Sequence, residues 1–125
     1  MTKKKELGDR GEEIAKKFLE KKGLKFIDRN FRALGGEIDL IFYDKKSKEY
    51  VLVEVKTRCS DAFGDGLESI TKSKFKKILS ASRRFFFQEL RLAEIPFFRI
   101  DAVSVRFQGE EFVCEHIASI GWDDF

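Results

Sequence analysis

The sequence predicts an α/β fold with elements in the order α-β-β-β-α-β-β, and two observations carry that prediction. Residues 6–22 and 70–91 place apolar side chains at the spacing of three and four that makes one face of a helix apolar. Five other segments are rich in β-branched and aromatic residues and are bounded by turn-forming residues, as strands are. With 125 residues and no repeat or linker-like segment, the chain is predicted to form a single domain spanning 1–125.

The same patterns place each element along the chain. The first helix is expected to stop at Gly23, and Ser69 is expected to cap the second helix. Residues 58–68 contain two glycines and show little periodicity, so they are predicted to form a loop. The five predicted strands lie at 24–31, 37–44, 50–57, 97–107 and 111–117.

The charge pattern is typical of a well-solvated protein. Charged residues make up 38% of the chain, against an average of about 25%. No apolar run approaches the roughly 18–20 residues of a membrane span, and the charged start lacks the apolar segment of a secretory signal, so we expect a cytoplasmic protein. The 25 lysines and arginines outnumber the 22 acids, and the net charge of +3 permits a nucleic-acid partner without requiring one.

The cysteines and the histidine argue against several kinds of catalytic site. Cys59 and Cys114 have no second Cys or His at metal-ligand spacing, so they are predicted to be free thiols. His116 is the one histidine of the chain, and its position in a predicted strand favours a structural role. Zinc sites and Ser-His-Asp catalysis are therefore not expected.

Charged side chains converge on two neighbouring predicted strands. Because strand residues alternate between faces, Glu54 and Lys56 lie on the same face. If the 45–48 turn joins an antiparallel pair symmetrically, Asp39 lies opposite Glu54. Like charges in opposite positions destabilise a sheet, so the two acids predict a bound cation, and Mg²⁺ prefers such hard oxygen ligands.

A metal at this position fits phosphodiester hydrolysis. The metal would polarise a phosphoryl oxygen and lower the pKa of a bound water. Lys56 is then placed to orient the nucleophile or to stabilise developing negative charge. The alternative is that Glu54 and Lys56 form an ordinary solvated pair, which arises easily in a chain this charged.

Glu12 in the first predicted helix is a further candidate. Ala15 and Leu19 follow it at i+3 and i+7, so Glu12 borders the apolar stripe and can either reach inward or interact with the helix dipole. Gly8 and Gly11 cost the helix about 1 kcal/mol each, which predicts a close approach by another backbone or by a ligand.

Basic residues gather on the second predicted helix. Lys74 lies between Ile70 and Ile78 in the apolar seam, so it either extends outward to solvent or meets the carboxylates or a phosphate. Arg99 and Asp101 share a strand face and are predicted to form a structural pair. The other candidates for contacts with a phosphate backbone are Arg58, Lys72, Lys76, Lys77, Arg83 and Arg84.

Several motifs resemble, in order and spacing, the UPF0102 (YraN-like) family of small bacterial proteins. They are GDRGEEIA (8–15), NFR (30–32), GEIDLI (36–41), VEVKTR (53–58), Lys74 and RID (99–101). The resemblance covers about residues 6–106, and Ile100 stands where the family usually has Phe.

That family looks like a branch of the PD-(D/E)xK nucleases, similar to archaeal Holliday junction resolvases. The resemblance implies a restriction-endonuclease-like three-layer core, in which helices flank a mixed central sheet. It also implies that Glu12, Asp39, Glu54 and Lys56 occupy the early-helix acid and the D…ExK positions of a site using Mg²⁺ or Mn²⁺, and that Lys74 matches the lysine of the second helix.

Two functions remain open on this basis. The first is a metal-dependent endonuclease acting on branched or otherwise structured DNA, as an intermediate of repair or recombination. The second is a non-catalytic module that retains the fold and binds nucleic acid or protein. A homodimer through Phe85–Phe87, or through the tail with Trp122 and Phe125, is a further hypothesis, because one helix face cannot bury three consecutive aromatic residues.

Overall fold

A computed structural model describes residues 3–33, 35–59 and 70–125, and it confirms the predicted order of elements. Two helices pack on opposite faces of one five-stranded sheet. The elements are α1 (Lys3–Lys21), β1 (Lys25–Ala33), β2 (Gly36–Asp44), β3 (Glu49–Cys59), α2 (Lys72–Arg84) with a π-helical turn at Phe85–Glu89, β4 (Phe98–Gln108), β5 (Glu111–Ile117) and a short 3₁₀ turn at Trp122–Asp124.

The sheet is mixed, as expected. Its spatial order is β1-β2-β3-β4-β5, and every neighbouring pair is antiparallel except β3 and β4. The parallel pair requires a crossover, which α2 supplies. The result is a three-layer α/β arrangement with α1 and α2 as the outer layers.

Alternation along β3 divides the core between the two helices. Val51, Val53 and Val55 pack with α1, whereas Leu52 packs with α2. A strand covered on both faces is expected to be apolar throughout, so the buried Glu54 in its middle is an exception. That exception marks the position of the site.

Two glycines let the helices approach the sheet closely. A Cβ atom at Gly11 would overlap the side chain of Thr57 in β3. A Cβ atom at Gly36 would overlap the carbonyl oxygen of Lys77 in α2. The prediction of a close approach is therefore confirmed at Gly11, whereas no atom of another described element lies within 4 Å of a Cβ built at Gly8.

The ends of α2 differ from the prediction. Thr71 is the N-cap, and its side-chain oxygen accepts a hydrogen bond from the backbone N–H of Lys74 at 3.1 Å. Ser69, the predicted cap, and most of the predicted 58–68 loop lie outside the described residues, while β3 continues to Cys59. At the other end the helix widens into the π-helical turn, where Phe85 and Phe86 are both buried and Phe87 is exposed.

The chain end also packs on the core. The rings of Phe125 and Phe75 meet edge to face, with centroids 5.4 Å apart. Cys59 and Cys114 are free thiols, as predicted. The homodimer stays a prediction. Within residues 3–33, 35–59 and 70–125, no helix combines the length and the apolar composition needed to cross a bilayer.

Candidate functional site

Asp39 and Glu54 face each other across β2 and β3. The paired residues run from Asp44 and Glu49 to Leu40 and Val53, so Asp39 and Glu54 directly follow the last pair, and their charges interact. A carboxylate oxygen of Asp39 accepts a hydrogen bond from the backbone N–H of Val55 at 2.8 Å. The predicted juxtaposition is therefore present, and Asp39 is anchored to the backbone of β3.

Two lysines neutralise part of this charge. Glu54 is only 2% exposed, and its Oε1 lies 3.5 Å from Nζ of Lys56. The same oxygen forms an ion pair with Nζ of Lys74 from α2. Of the two alternatives open for Lys74, contact with the carboxylates is the one that the structure shows.

Asp39 is poorly compensated by comparison. Burial, and then the negative charge of Glu54, raise the pKa of Asp39 to about 8. The N–H of Val55 acts in the opposite direction and does not offset them. Two carboxylates held together at this cost have the hard oxygen donors that suit a divalent cation such as Mg²⁺.

The two lysines respond differently to the site. Burial, and then the neighbouring ammonium of Lys74, lower the pKa of Lys56 below its usual value. Burial acts in the same direction on Lys74, but its bonds to Glu54 and Lys56 and the negative charges of Glu54 and Asp39 together outweigh burial and raise the pKa of Lys74. Lys56 is therefore the lysine that releases a proton more readily.

The acids open onto a cavity of about 720 Å³. Asp39 and Glu54 line it together with the start of α2, including Thr71 and Ser73, and the hairpin between β1 and β2. A phosphate group entering there meets two lysines of α2, Lys74 and Lys77. Thr71 and Ser73 had not been predicted, although Thr is a preferred N-cap residue directly before a helix.

Glu12 lies in an adjoining cavity. Arg32 and Glu37 line both cavities, so the cavities of Glu12 and Asp39 adjoin at the β1–β2 hairpin. Burial, and then Asp9 and Glu37, raise the pKa of Glu12, and its charge also contributes to the raised pKa of Asp39. Among the described residues, no group of three or more His, Cys, Asp or Glu side chains is close enough to hold a metal ion, and Glu12 as a third ligand stays a prediction.

The other predicted substrate contacts are spread along the chain. Lys77 borders the cavity, whereas Lys72 and Lys76 are exposed on α2 outside its lining. Arg58 is half-buried near the end of β3. Contacts between these four side chains and DNA stay predictions.

A second charged cluster surrounds Asp101. Its carboxylate, 0% exposed, lies 3.1 Å from Nε of Arg99 and 2.7 Å from Nε2 of His116, and it accepts a bond from the N–H of Ser119 at 2.9 Å. Arg99 also forms ion pairs with Asp44 and Glu49. The predicted pairing of Arg99 with Asp101 is confirmed, and His116 belongs to the same network.

Comparison with known proteins shows which family the chain belongs to. Residues 11–105 match the model of the uncharacterised protein family UPF0102. A UPF0102 protein of Photorhabdus laumondii is 42% identical over 107 residues, covering 86% of this chain and 83% of its own. One of Geobacter metallireducens is 37% identical over 113 residues, covering 90% and 89%. One of Vibrio campbellii is 36% identical over 108 residues, covering 86% and 87%. The chain therefore belongs to the UPF0102 family.

Proposed function

We propose that this protein is a metal-dependent nuclease that hydrolyses phosphodiester bonds in structured or branched DNA. The observation that supports the proposal is that Asp39 and Glu54 line one cavity beside a basic helix, with Nζ of Lys56 3.5 Å from Glu54. This is the arrangement that the resemblance to PD-(D/E)xK nucleases implies.

The donor set fits a hard divalent cation. Asp39 and Glu54 offer carboxylate oxygens from adjacent strands, and Glu12 is the candidate for a third. Mg²⁺ or Mn²⁺ held there supplies a Lewis acid for a phosphoryl oxygen and lowers the pKa of a water ligand.

The residues of the chain then divide the remaining work. The N–H of Val55 fixes the orientation of the Asp39 carboxylate. Lys56, with its lowered pKa, orients the attacking water and takes part in moving its proton. Lys74 and Lys77 hold the phosphate, helped by the N-terminal turn of α2. Lys74 must exchange its bond with Glu54 for one with substrate, which couples binding to the exposure of that carboxylate.

The test is cleavage of a panel of DNA structures. Four-way junctions, flaps, single strands and plain duplexes are incubated with purified protein and Mg²⁺ or Mn²⁺. We expect cleavage that is lost in the Glu54→Ala, Lys56→Ala double variant. The matched control changes an acid and a lysine on the surface of α1, Glu20→Ala and Lys17→Ala, and retains activity. Cleavage of no substrate above the level of the double variant rejects the proposal.

A non-catalytic binding module is the second candidate. The observation that favours it is the ion pair between Lys74 and Glu54, which supplies a positive charge at the acids without any metal. DNA binding combined with a melting temperature that Mg²⁺ and Mn²⁺ leave unchanged supports this alternative over the nuclease.

A further inference from the structure

A second cavity, of about 570 Å³, lies at the other end of the sheet and combines aromatic rings with lysines. Strand β1, the hairpin joining β2 to β3, and the segment before β4 form its walls. The side chains that bear on its chemistry are Tyr43, Tyr50, Phe97, Lys25, Lys45 and Lys48.

This cavity shares a sheet face with the candidate catalytic acids. Tyr43 is four residues from Asp39 along β2, and Tyr50 is four residues from Glu54 along β3. An even spacing along a strand returns the side chain to the same face, and four residues span about 13 Å. The buried Ile41 and Leu52 lie between the two cavities under α2, so the cavities open at opposite ends of this covered face.

Two of the aromatic side chains of this cavity are packed against other rings, and a third, Phe97, is exposed. The ring centroids of Tyr43 and Tyr50 are 5.0 Å apart, and Tyr50 also packs on the buried Phe86 at 5.4 Å. Phe97 is 83% exposed, and no ring of the described residues packs against it. Covering a phenylalanine this exposed with a flat apolar partner is favourable, because its surface is removed from water.

The lysines around this ring lack acidic partners. Lys25, Lys45 and Lys48 form no ion pair with any described carboxylate. The acids next to Lys45 and Lys48 in sequence, Asp44 and Glu49, are bound to Arg99. Three uncompensated positive charges beside an exposed ring favour a partner that is both anionic and planar.

We propose that this cavity binds single-stranded nucleic acid, with a base stacked on Phe97 and its phosphates beside Lys25, Lys45 and Lys48. Stacking on an aromatic ring requires an unpaired base, whereas lysines alone hold a duplex equally well. The inference deepens the proposed function, because it makes an unpaired segment part of the substrate. It rests on that function only for the claim that the same molecule is cleaved at Asp39 and Glu54.

The experiment measures binding separately from cleavage. Fluorescence anisotropy follows a labelled oligothymidylate of about 12 nucleotides, and a duplex of equal length, in EDTA. We expect the wild type to bind the single strand more tightly than the duplex. Phe97→Ala is expected to weaken single-strand binding about fivefold or more. Phe112→Ala is the matched control, because Phe112 is also exposed, at 48%, but lies on β5.

The lysines are tested by reversing charge. Lys45→Glu with Lys48→Glu is expected to weaken binding and to reduce the slope of log K against log[salt] by about 0.7 per lost phosphate contact. Lys17→Glu with Lys21→Glu, on α1, changes the net charge equally and serves as the control. Thermal melting of each variant establishes that the fold is retained.

Three outcomes overturn the inference. One is binding that Phe97→Ala leaves at the wild-type level. Another is equal weakening by Phe97→Ala and Phe112→Ala. The third is a wild-type dimer that Phe97→Ala converts to a monomer without any effect on nucleic-acid binding, which makes a second copy the occupant. Single-strand binding that depends on Phe97 without cleavage of any DNA supports the inference and rejects the nuclease. Cleavage of DNA, together with single-strand binding that Phe97→Ala leaves unchanged, supports the nuclease and overturns the inference.

Discussion

The two clusters of buried charge in this sheet differ in how their acids are compensated. Asp101 has a guanidinium, an imidazole and a backbone N–H around its carboxylate. Among the described residues, Asp39 accepts one backbone N–H bond, and it faces the negative charge of Glu54, which the more weakly felt positive charge of Lys74 does not offset. One acid is therefore surrounded by hydrogen-bond donors, whereas the other is buried beside a like charge.

This difference separates a structural role from a functional one. A carboxylate with a full set of donors holds strands and loops together, because its charge is already balanced. A carboxylate kept where its charge is disfavoured weakens the folded state until a cation arrives. The four predictions below test whether the clusters divide in this way, beginning with the largest effect.

Neutralising Glu54 is expected to give the largest loss of hydrolysis. Glu54→Gln removes a proposed metal ligand, and the rate should fall about a thousandfold, equivalent to about 4 kcal/mol of barrier. The same substitution in the other cluster, Glu49→Gln, should leave the rate within about twofold. Single-turnover cleavage of the best substrate measures both, and equal losses contradict the division.

Neutralising Asp101 is expected to give the largest loss of stability. Asp101→Asn leaves the half-buried Arg99 and its neighbours without their central anion, which should lower the free energy of unfolding by about 3 kcal/mol. Urea denaturation measures the change. A loss no larger than that of Asp39→Asn removes the distinction between the clusters.

Neutralising Asp39 is expected to raise the free energy of unfolding, in contrast to the loss expected for Asp101→Asn. Between the usual carboxyl pKa of 3.8 and the raised value of about 8, the folded protein holds a proton that the unfolded chain has released. Stability should therefore decline as pH rises through this window. Asp39→Asn keeps an acceptor for the N–H of Val55 without the charge, and at pH 8 in EDTA it should be more stable than the wild type by about 2 kcal/mol.

Denaturant curves at several pH values, with and without Mg²⁺, check this expectation. Mg²⁺ should restore the stability of the wild type at pH 8 and leave Asp39→Asn unchanged. A wild type whose stability rises over the window relative to the variant contradicts the raised pKa of Asp39.

The smallest expected effect belongs to His116. His116→Gln retains a donor toward Asp101 but loses the ring contact with Phe18, so we expect a loss of about 1 kcal/mol and unchanged cleavage. Chemical denaturation and the cleavage assay are run on the same preparation. A loss of cleavage at full stability would give His116 a catalytic role instead.

The features that the sequence predicted depend on neighbouring residues. The turn at 45–48 sets the register of β2 and β3, so counting outward from it places Asp39 opposite Glu54. Alternation within β3 assigns Glu54 to the α2 face in the same way. Both follow from backbone geometry within about 20 residues, which a single sequence contains.

The features that the sequence missed depend on distant contacts. The cavity of Tyr43, Phe97 and the lysines joins segments separated by more than 40 residues. The burial of both Phe85 and Phe86 requires the π-helical turn, which no local propensity indicates. The choice between the two conformations of Lys74 depended on where α2 lies against the sheet. These three features depend on how distant segments pack together, which the periodicity of the sequence does not indicate.

Gly36 carries no functional group, yet it sets the separation between α2 and the acids. A side chain there would push the helix away and carry the ammonium of Lys74 out of reach of its carboxylate partner. A screen for inactive variants should therefore recover substitutions at this glycine together with those of the charged residues. A residue without reactive chemistry can thus score as indispensable, because it acts as a spacer.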